Sequence, residues 1–323
     1  MVAYAEDGTR LIAGYIPKTS LSCVGIAFYG LLAAVFWARF FLQGRHKYML
    51  TLCIGTTTMA LGFAVRIGLT SNPGSMGVYI VMTLFTLLSP CAFLANDYII
   101  LPRLVAWLDA EEQLFIRPSR VVRIFVWSDV FTFWLQAGGG GLSAARDSPS
   151  LQKIGLYVAL VGLILQCLSF MTFIGLAVVF GRRIKKTSKW TKTPNNAQGY
   201  TVSLWWKEDW RSIYFAILWT SIGIMVRCIF RVVEYAQGFD GSLRNAEWAF
   251  YALDALPLFL ALSVWTVIWP PAILTDHKQY HSNMGDSGTA VLNNSTSSHI
   301  PLTTRSTPQW NYEETKQVPR QYA

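Results

Sequence analysis

The chain has 323 residues, of which 53% are hydrophobic and only 14% charged, and its mean hydropathy is +0.35. That is too apolar for an ordinary water-soluble domain of this length, so lipid is the solvent that the sequence suits. The net charge of +9 does not point to nucleic acid, because the basic residues lie in short runs between apolar segments and read as anchors at the cytosolic leaflet.

In chain order, seven stretches reach the ~20 apolar residues that a helix needs to cross the hydrocarbon core: 20–42, 48–69, 77–101, 121–143, 154–180, 212–234 and 246–270. The first is longer than a signal-peptide core, has no small-residue cleavage site and follows polar or mixed residues, so it is expected to be a span and not a removed leader. The predicted fold class is therefore an all-α polytopic membrane protein with seven transmembrane helices. Lys and Arg number 17 in the segments 43–47, 102–120, 181–211 and 271–323, against 5 in residues 1–19 and the segments 70–76, 144–153 and 235–245. Positive charge stays cytosolic, which places the N-terminus outside and the C-terminus in the cytosol. Alternate connections are alternately rich and poor, as an odd number of spans requires.

Residues 1–19 are thus an extracellular N-terminus, 20–275 a seven-helix domain and 276–323 a cytosolic tail. The tail, polar and rich in Ser, Thr and Asn, cannot bury a core and is expected to be disordered. Asn293 and Asn294 each head an N-x-[ST] sequon, yet a cytosolic tail never meets the glycosylation machinery. The run Gly181-Arg182-Arg183-Ile184-Lys185-Lys186 follows a span directly and reads either as a topology signal or as a site for anionic lipid. Five cysteines lie in apolar segments with no CxxC and no clustered His, so they read as small packing residues; no disulfide framework, metal or cofactor is expected. Trp205, Trp206, Trp210 and Trp269 read as an interfacial belt.

Ionisable side chains inside spans face the bundle interior or a watery cavity and need partners. Arg227, Arg231 and Glu234 are spaced four and three apart, on one helical face, and Glu247 and Asp254 are seven apart, again on one face. With Arg66 they make three positive and three negative charges at outer depth, the balance that a desolvated network requires. Such a network serves either as a structural tie between helices 2, 6 and 7 or as a polar binding site. Pairing of Arg227 and Arg231 with Glu247 and Asp254 is expected across helices 6 and 7. At inner depth, Asp97 and Asp129 lie on consecutive antiparallel helices and are able to face each other, as a protonatable or cation-receiving pair. The alternatives are that Asp97 reaches the headgroup region, or that each pairs separately with Arg103 or Arg123. Gln136 begins the run Gln136-Ala137-Gly138-Gly139-Gly140-Gly141, where the helix either unwinds beside a substrate or simply ends.

These segments carry a resemblance. Leu94-Ala95-Asn96-Asp97-Tyr98-Ile99-Ile100-Leu101, Ser128-Asp129-Val130, Leu135-Gln136-Ala137-Gly138-Gly139-Gly140 and, above all, Arg227-Cys228-Ile229-Phe230-Arg231-Val232-Val233-Glu234-Tyr235 followed by Gly238, Gly241, Glu247, Tyr251 and Asp254 are similar to the fungal RTA-like lipid-translocating exporters. The resemblance covers roughly residues 20–275, in order; the tail shows none of it. It implies a seven-helix plasma-membrane protein that moves sphingoid long-chain bases outward and protects against toxic amphiphiles, with other branches linked to porphyrin traffic. No GxxxxGK[ST] motif occurs, so active transport needs a gradient, a partner or a passive route.

The function expected is that of a lipid transporter, with membrane lipids or an amphiphile as partner and Asp97, Asp129 and Asp254 as contacts for a cationic head. The alternative is a seven-helix receptor or stress sensor that couples to cytosolic partners through its basic third internal connection and its tail. An enzyme is not expected, since His46, His277, His281 and His299 all lie outside the spans and no nucleophile is placed beside the carboxylates. An engineered sequon and epitope within residues 1–19 should be glycosylated and accessible in intact cells, while the tail should need permeabilisation; glycosylation of native Asn293 or Asn294 would overturn the orientation.

Overall fold

Hydrocarbon offers no water to backbone N–H and C=O groups, so a crossing segment must satisfy them internally, as a helix does. The structure, a computed structural model, describes residues 18–71, 75–143, 148–187, 190, 209–238, 241, 243 and 246–274; among them there are helices and turns and no strand. The long helices are α1 (Thr19–Leu42), α2 (Leu50–Ser71), α3 (Met76–Trp107), α4 (Pro118–Ser143), α5 (Pro149–Lys185) and α6 (Trp210–Ala236). The last, α7, is composite: Glu247–Ala249, a π-helical turn over Phe250–Ala255, and Leu256–Val267. Short 3-10 turns occupy Lys47–Met49 and Glu111–Gln113. Residues 1–17, the connection beyond Trp190 with Trp205 and Trp206, and the tail with its sequons, His277 and His281 lie outside the described residues.

Six of these helices are long and apolar enough to cross a membrane. The exception is α4, whose hydropathy is lowered by Asp129, Gln136 and four glycines. Phe28, Leu31, Phe131, Trp134, Ile222 and Ile229 are exposed on the bundle exterior, a surface that only lipid tolerates. The protein is an all-α polytopic membrane protein. Both α3, with 32 residues, and α5, with 37, outrun the predicted spans. At 1.5 Å per residue α5 is about 55 Å long, well beyond the hydrocarbon thickness, and its last turn carries Arg182, Arg183 and Lys185.

Each long helix packs on its neighbours in sequence, α1 also meets α7, and α3 touches α2, α4, α5 and α6. The central helix is therefore α3, and its buried stretch includes Phe93, Leu94, Asn96, Asp97, Tyr98, Ile100 and Leu101. Of the two readings of the glycine run, the structure shows the plain helix end: α4 stays helical through the glycines to Ser143 and does not unwind. Two expectations need correction. Trp210 and Trp269 are buried packing residues and not an interfacial belt. All five cysteines are free, but Cys23 faces outward instead of packing inside.

Within the glycine run only Gly139 is sterically required. A Cβ there would lie 2.6 Å from the carbonyl oxygen of Gly155, and one on Gly155 equally close to that of Gly139, so the two backbones touch. Nothing approaches within 4 Å of a Cβ on Gly138, Gly140 or Gly141. Gly139→Ala should force α4 and α5 apart at a cost of about 1–3 kcal/mol and lower the melting temperature in detergent. Gly140→Ala, read in the same thermal assay, should be neutral or slightly stabilising.

Candidate functional site

The polar interior falls into two clusters. In the first, the four- and three-residue spacing on α6 aligns Arg227, Arg231 and Glu234, and Gly223 lets α7 come close: a Cβ there would sit 2.7 Å from the carbonyl oxygen of Pro257. The π turn of α7 carries Asp254, which is fully buried. Arg231 holds its carboxylate in two-pronged fashion, Nε to Oδ1 at 3.1 Å and Nη2 to Oδ2 at 2.8 Å, and Arg227 forms a second ion pair with Oδ1. The remaining amino group of Arg231 meets Glu234 at 3.0 Å.

Arg227 also reaches the central helix. Pro90 has no N–H to give the carbonyl four residues earlier, which is that of Thr86. The Nη2 group of Arg227 donates to this carbonyl at 2.8 Å. One guanidinium thus meets both the carboxylate of α7 and a backbone acceptor that a proline left open in α3.

Glu247 does not join Arg227 or Arg231, contrary to the expectation from spacing. It pairs with Arg66 of α2 at 3.7 Å and accepts from the backbone N–H of Lys18, just before α1, at 2.9 Å. The physical reason is the π turn, whose i to i+5 bonding breaks the helical phase between Glu247 and Asp254. The ring of Phe250 lies between the two groups, 4.4 Å from the guanidinium of Arg66 and 5.4 Å from that of Arg231. Near it, the Tyr29 hydroxyl donates to the carbonyl of Ala255 at 2.7 Å, and the hydroxyls of Ser22 and Tyr251 are 3.2 Å apart. The crevice beside Arg66, bounded by Met59, Gly62, Met82 and Phe250, has room for no more than about one water.

The second cluster contains Asp97 and Asp129, and the structure does not join them as a pair. Adjacent residues on a helix point about 100° apart. Asp97 therefore turns to α6, where its Oδ2 accepts from the Thr220 hydroxyl at 2.8 Å, and Tyr98 turns to α4 and α5. The Tyr98 phenol stands beside the Asp129 carboxylate but outside hydrogen-bond geometry, and Asn96 is similarly placed by the free Oδ1 of Asp97. Both oxygens of Asp129 are buried without a hydrogen bond, although only 4% of the residue is exposed. Neither aspartate forms an ion pair among the described residues. Arg103, considered above as a partner, stacks on Tyr48 instead, and Arg123 is exposed. Gln136 sits next to this cluster and donates to Gln166 at 2.8 Å, whose own amide reaches the thiol of Cys91 at 3.6 Å.

Sequence reasoning missed Thr220, Tyr98, Gln166 and the Pro90–Thr86 opening. Gln166 and Thr220 were visible as polar residues in the middle of apolar spans, and Pro90 as a helix interruption, but nothing local connects them to their partners.

Removing one partner of a buried ion pair typically costs about 3–5 kcal/mol, because the other is left uncompensated. Asp254→Asn should therefore be the most damaging single neutralisation, since it strands Arg227 and leaves Arg231 with Glu234 alone. The double variant Arg227→Leu, Asp254→Leu leaves Arg231 with Glu234 and should recover abundance. Arg231→Leu, Asp254→Leu leaves Arg227 and Glu234 without their ion partners and should not. Equal recovery in both, measured as folded protein in the membrane, would contradict the shared-carboxylate arrangement.

Comparison with known proteins adds three relatives from Saccharomyces cerevisiae. The chain is 34% identical to Protein RTA1 over 217 residues, which are 67% of this chain and 63% of the relative. It is 29% identical to Protoporphyrin uptake protein 1, covering 66% of this chain and 65% of that protein. It is 26% identical to the Sphingoid long-chain base transporter RSB1 over 290 residues, 82% of this chain and 75% of the relative. The chain thus spans less than two thirds of the length of the first two. No solved structure matches it. The family model described as RTA1 like protein matches residues 52–277 and so takes in both polar clusters: the chain belongs to the RTA1-like family.

Proposed function

We propose that this protein moves cationic amphiphiles, sphingoid long-chain bases foremost, across the bilayer toward the outer leaflet of the plasma membrane, and is not an enzyme. The observation that carries this reading is the asymmetry between the two clusters. In the first, the carboxylates are matched to arginines; in the second, Asp97 and Asp129 are buried with no cation. A carboxylate without a counterion inside a membrane protein is where a positively charged head group gains most, because it supplies the ion partner that no residue does. The cargo's ammonium is received at Asp129, with Asp97 as second acceptor, and its alkyl chain stays in lipid. The name of one relative, a sphingoid long-chain base transporter, supports the same cargo class.

A porphyrin, the cargo in another relative's name, carries carboxylates and requires free cations. Arg66, Arg227 and Arg231 are each already engaged with a carboxylate, so the interior favours a cationic cargo over an anionic one. Asp254, expected from the sequence to contact the head group, is enclosed by two guanidiniums and is assigned to holding α6 on α7, with Arg227, Arg231 and Glu234, while Glu247 ties α7 to α2. Gln136 lines the Asp129 side of the site. Seven spans, an outside N-terminus at 1–19, a transmembrane domain over 20–275 and a cytosolic tail over 276–323 complete the proposed arrangement.

Purified protein in liposomes should speed the exchange of a tail-labelled long-chain base between leaflets, since a transporter needs nothing else. A receptor or stress sensor should leave the exchange at the protein-free rate. In cells, Asp97→Asn and Asp129→Asn should each lower resistance to toxic long-chain bases at unchanged abundance; normal resistance in both would remove the two carboxylates from the mechanism.

A further inference from the structure

Electroneutrality of the core poses a question that cargo binding alone does not answer. Among the described residues, Arg66, Arg227 and Arg231 face Glu234, Glu247 and Asp254, and these charges cancel. Nothing positive is left for Asp129. The groups near it are the Tyr98 phenol and the Cys91 thiol of α3 and the Cys228 thiol of α6; Gln136, two turns along its own helix, is bonded to Gln166 of α5. None brings a cation, and Arg227 of α6, which acts on both thiols, is already paired with Asp254. On α4 itself, Arg120 and Arg123 are exposed. Tyr98, Phe125, Phe170 and Phe173 form a continuous aromatic packing beside the carboxyl, with Tyr98 to Phe173 centroids at 4.7 Å, which keeps water from solvating it. Both carboxyl oxygens are buried without a hydrogen bond. An empty site of this kind is neutral only if the carboxyl holds a proton.

We propose that Asp129 is a proton-exchanging group, and that the protein trades one proton for one cationic head. This rests on the translocation reading above. When the ammonium arrives, the O–H bond of the Asp129 carboxyl breaks, the proton leaves to water, and the carboxylate pairs with the cation; when the cation departs, a proton from the opposite side restores the O–H bond. Charge in the core stays constant throughout, and a proton gradient can drive cargo without nucleotide. Asp97, one oxygen of which is already held by Thr220, is the second acceptor and not the exchanger.

The test must use a cargo that cannot carry a proton itself. Full-length protein is reconstituted in voltage-clamped liposomes with a pH dye inside, and a fluorescent N,N,N-trimethylated long-chain base is added outside. Leaflet exchange of the label and lumenal pH are followed separately. Expected is lumenal alkalinisation of about one proton per cation moved, with the proton signal abolished in Asp129→Asn, whose amide mimics the size of the neutral acid and whose incorporation into vesicles is quantified. Cation movement without a proton signal in the unmodified protein overturns the exchange and leaves the translocation reading intact. An undiminished proton signal in Asp129→Asn overturns the assignment to this residue. If neither the trimethylated nor the native base moves, the translocation reading falls and the exchange falls with it.

Discussion

Everything in this bundle depends on keeping buried charge compensated where no water can do it. An ion taken into a low-dielectric interior loses several kcal/mol of solvation, which only a close partner of opposite sign returns. Arg231 and Arg227 meet that requirement through one carboxylate, Asp254, itself fully enclosed. The pairing positions backbone as well as side chains: α6 and α7 must approach closely enough for Gly223 to lie against Pro257, and the π turn must present Asp254 to α6 while releasing Glu247 toward α2.

From this centre the polar contacts spread outward. The second reach of Arg227, onto the Thr86 carbonyl opened by Pro90, ties the α6–α7 pair to the central helix. Arg66 and Glu247 bring in α2 and, through the Lys18 N–H, the start of α1. Five helices are therefore linked by one set of charges. The α4–α5 pair is held differently, by direct backbone contact at Gly139 and Gly155 and by the Gln136 to Gln166 hydrogen bond. The unpaired aspartates lie where these two modes of assembly meet, on α3 and α4, and that location suits a proposed site whose neighbours shift relative to one another during transport.

Much of the architecture was legible in the sequence because the membrane imposes simple rules. Hydrophobic runs located the long helices of the described region to within a few residues, the more polar α4 among them, except where α3 and α5 continue past the hydrocarbon, since hydropathy marks the apolar portion of a helix and not its end. The spacing of Arg227, Arg231 and Glu234 showed a shared face, and the equal numbers of opposite charges showed that a network was required. Asp97 and Asp129 stood out as charges inside apolar spans, but whether Arg103 or Arg123 pairs with them was not legible there.

The sequence by itself determined that the chain lives in a membrane, which stretches are helical, and which charges had to be neutralised, because these follow from solvent, length and charge inventory alone. Only the tertiary structure decided who neutralises whom. Glu247 and Asp254 look equivalent at seven residues apart, yet a π turn just before Pro257 sends them to different arginines. Asp97 and Asp129 look like a facing pair, yet the 100° step between Asp97 and Tyr98 puts a phenol beside one and a threonine hydroxyl from α6 beside the other. Partner choice is set by helix rotation and crossing, and those are fixed by contacts between residues more than a hundred positions apart, such as Asp97 with Thr220 and Thr86 with Arg227.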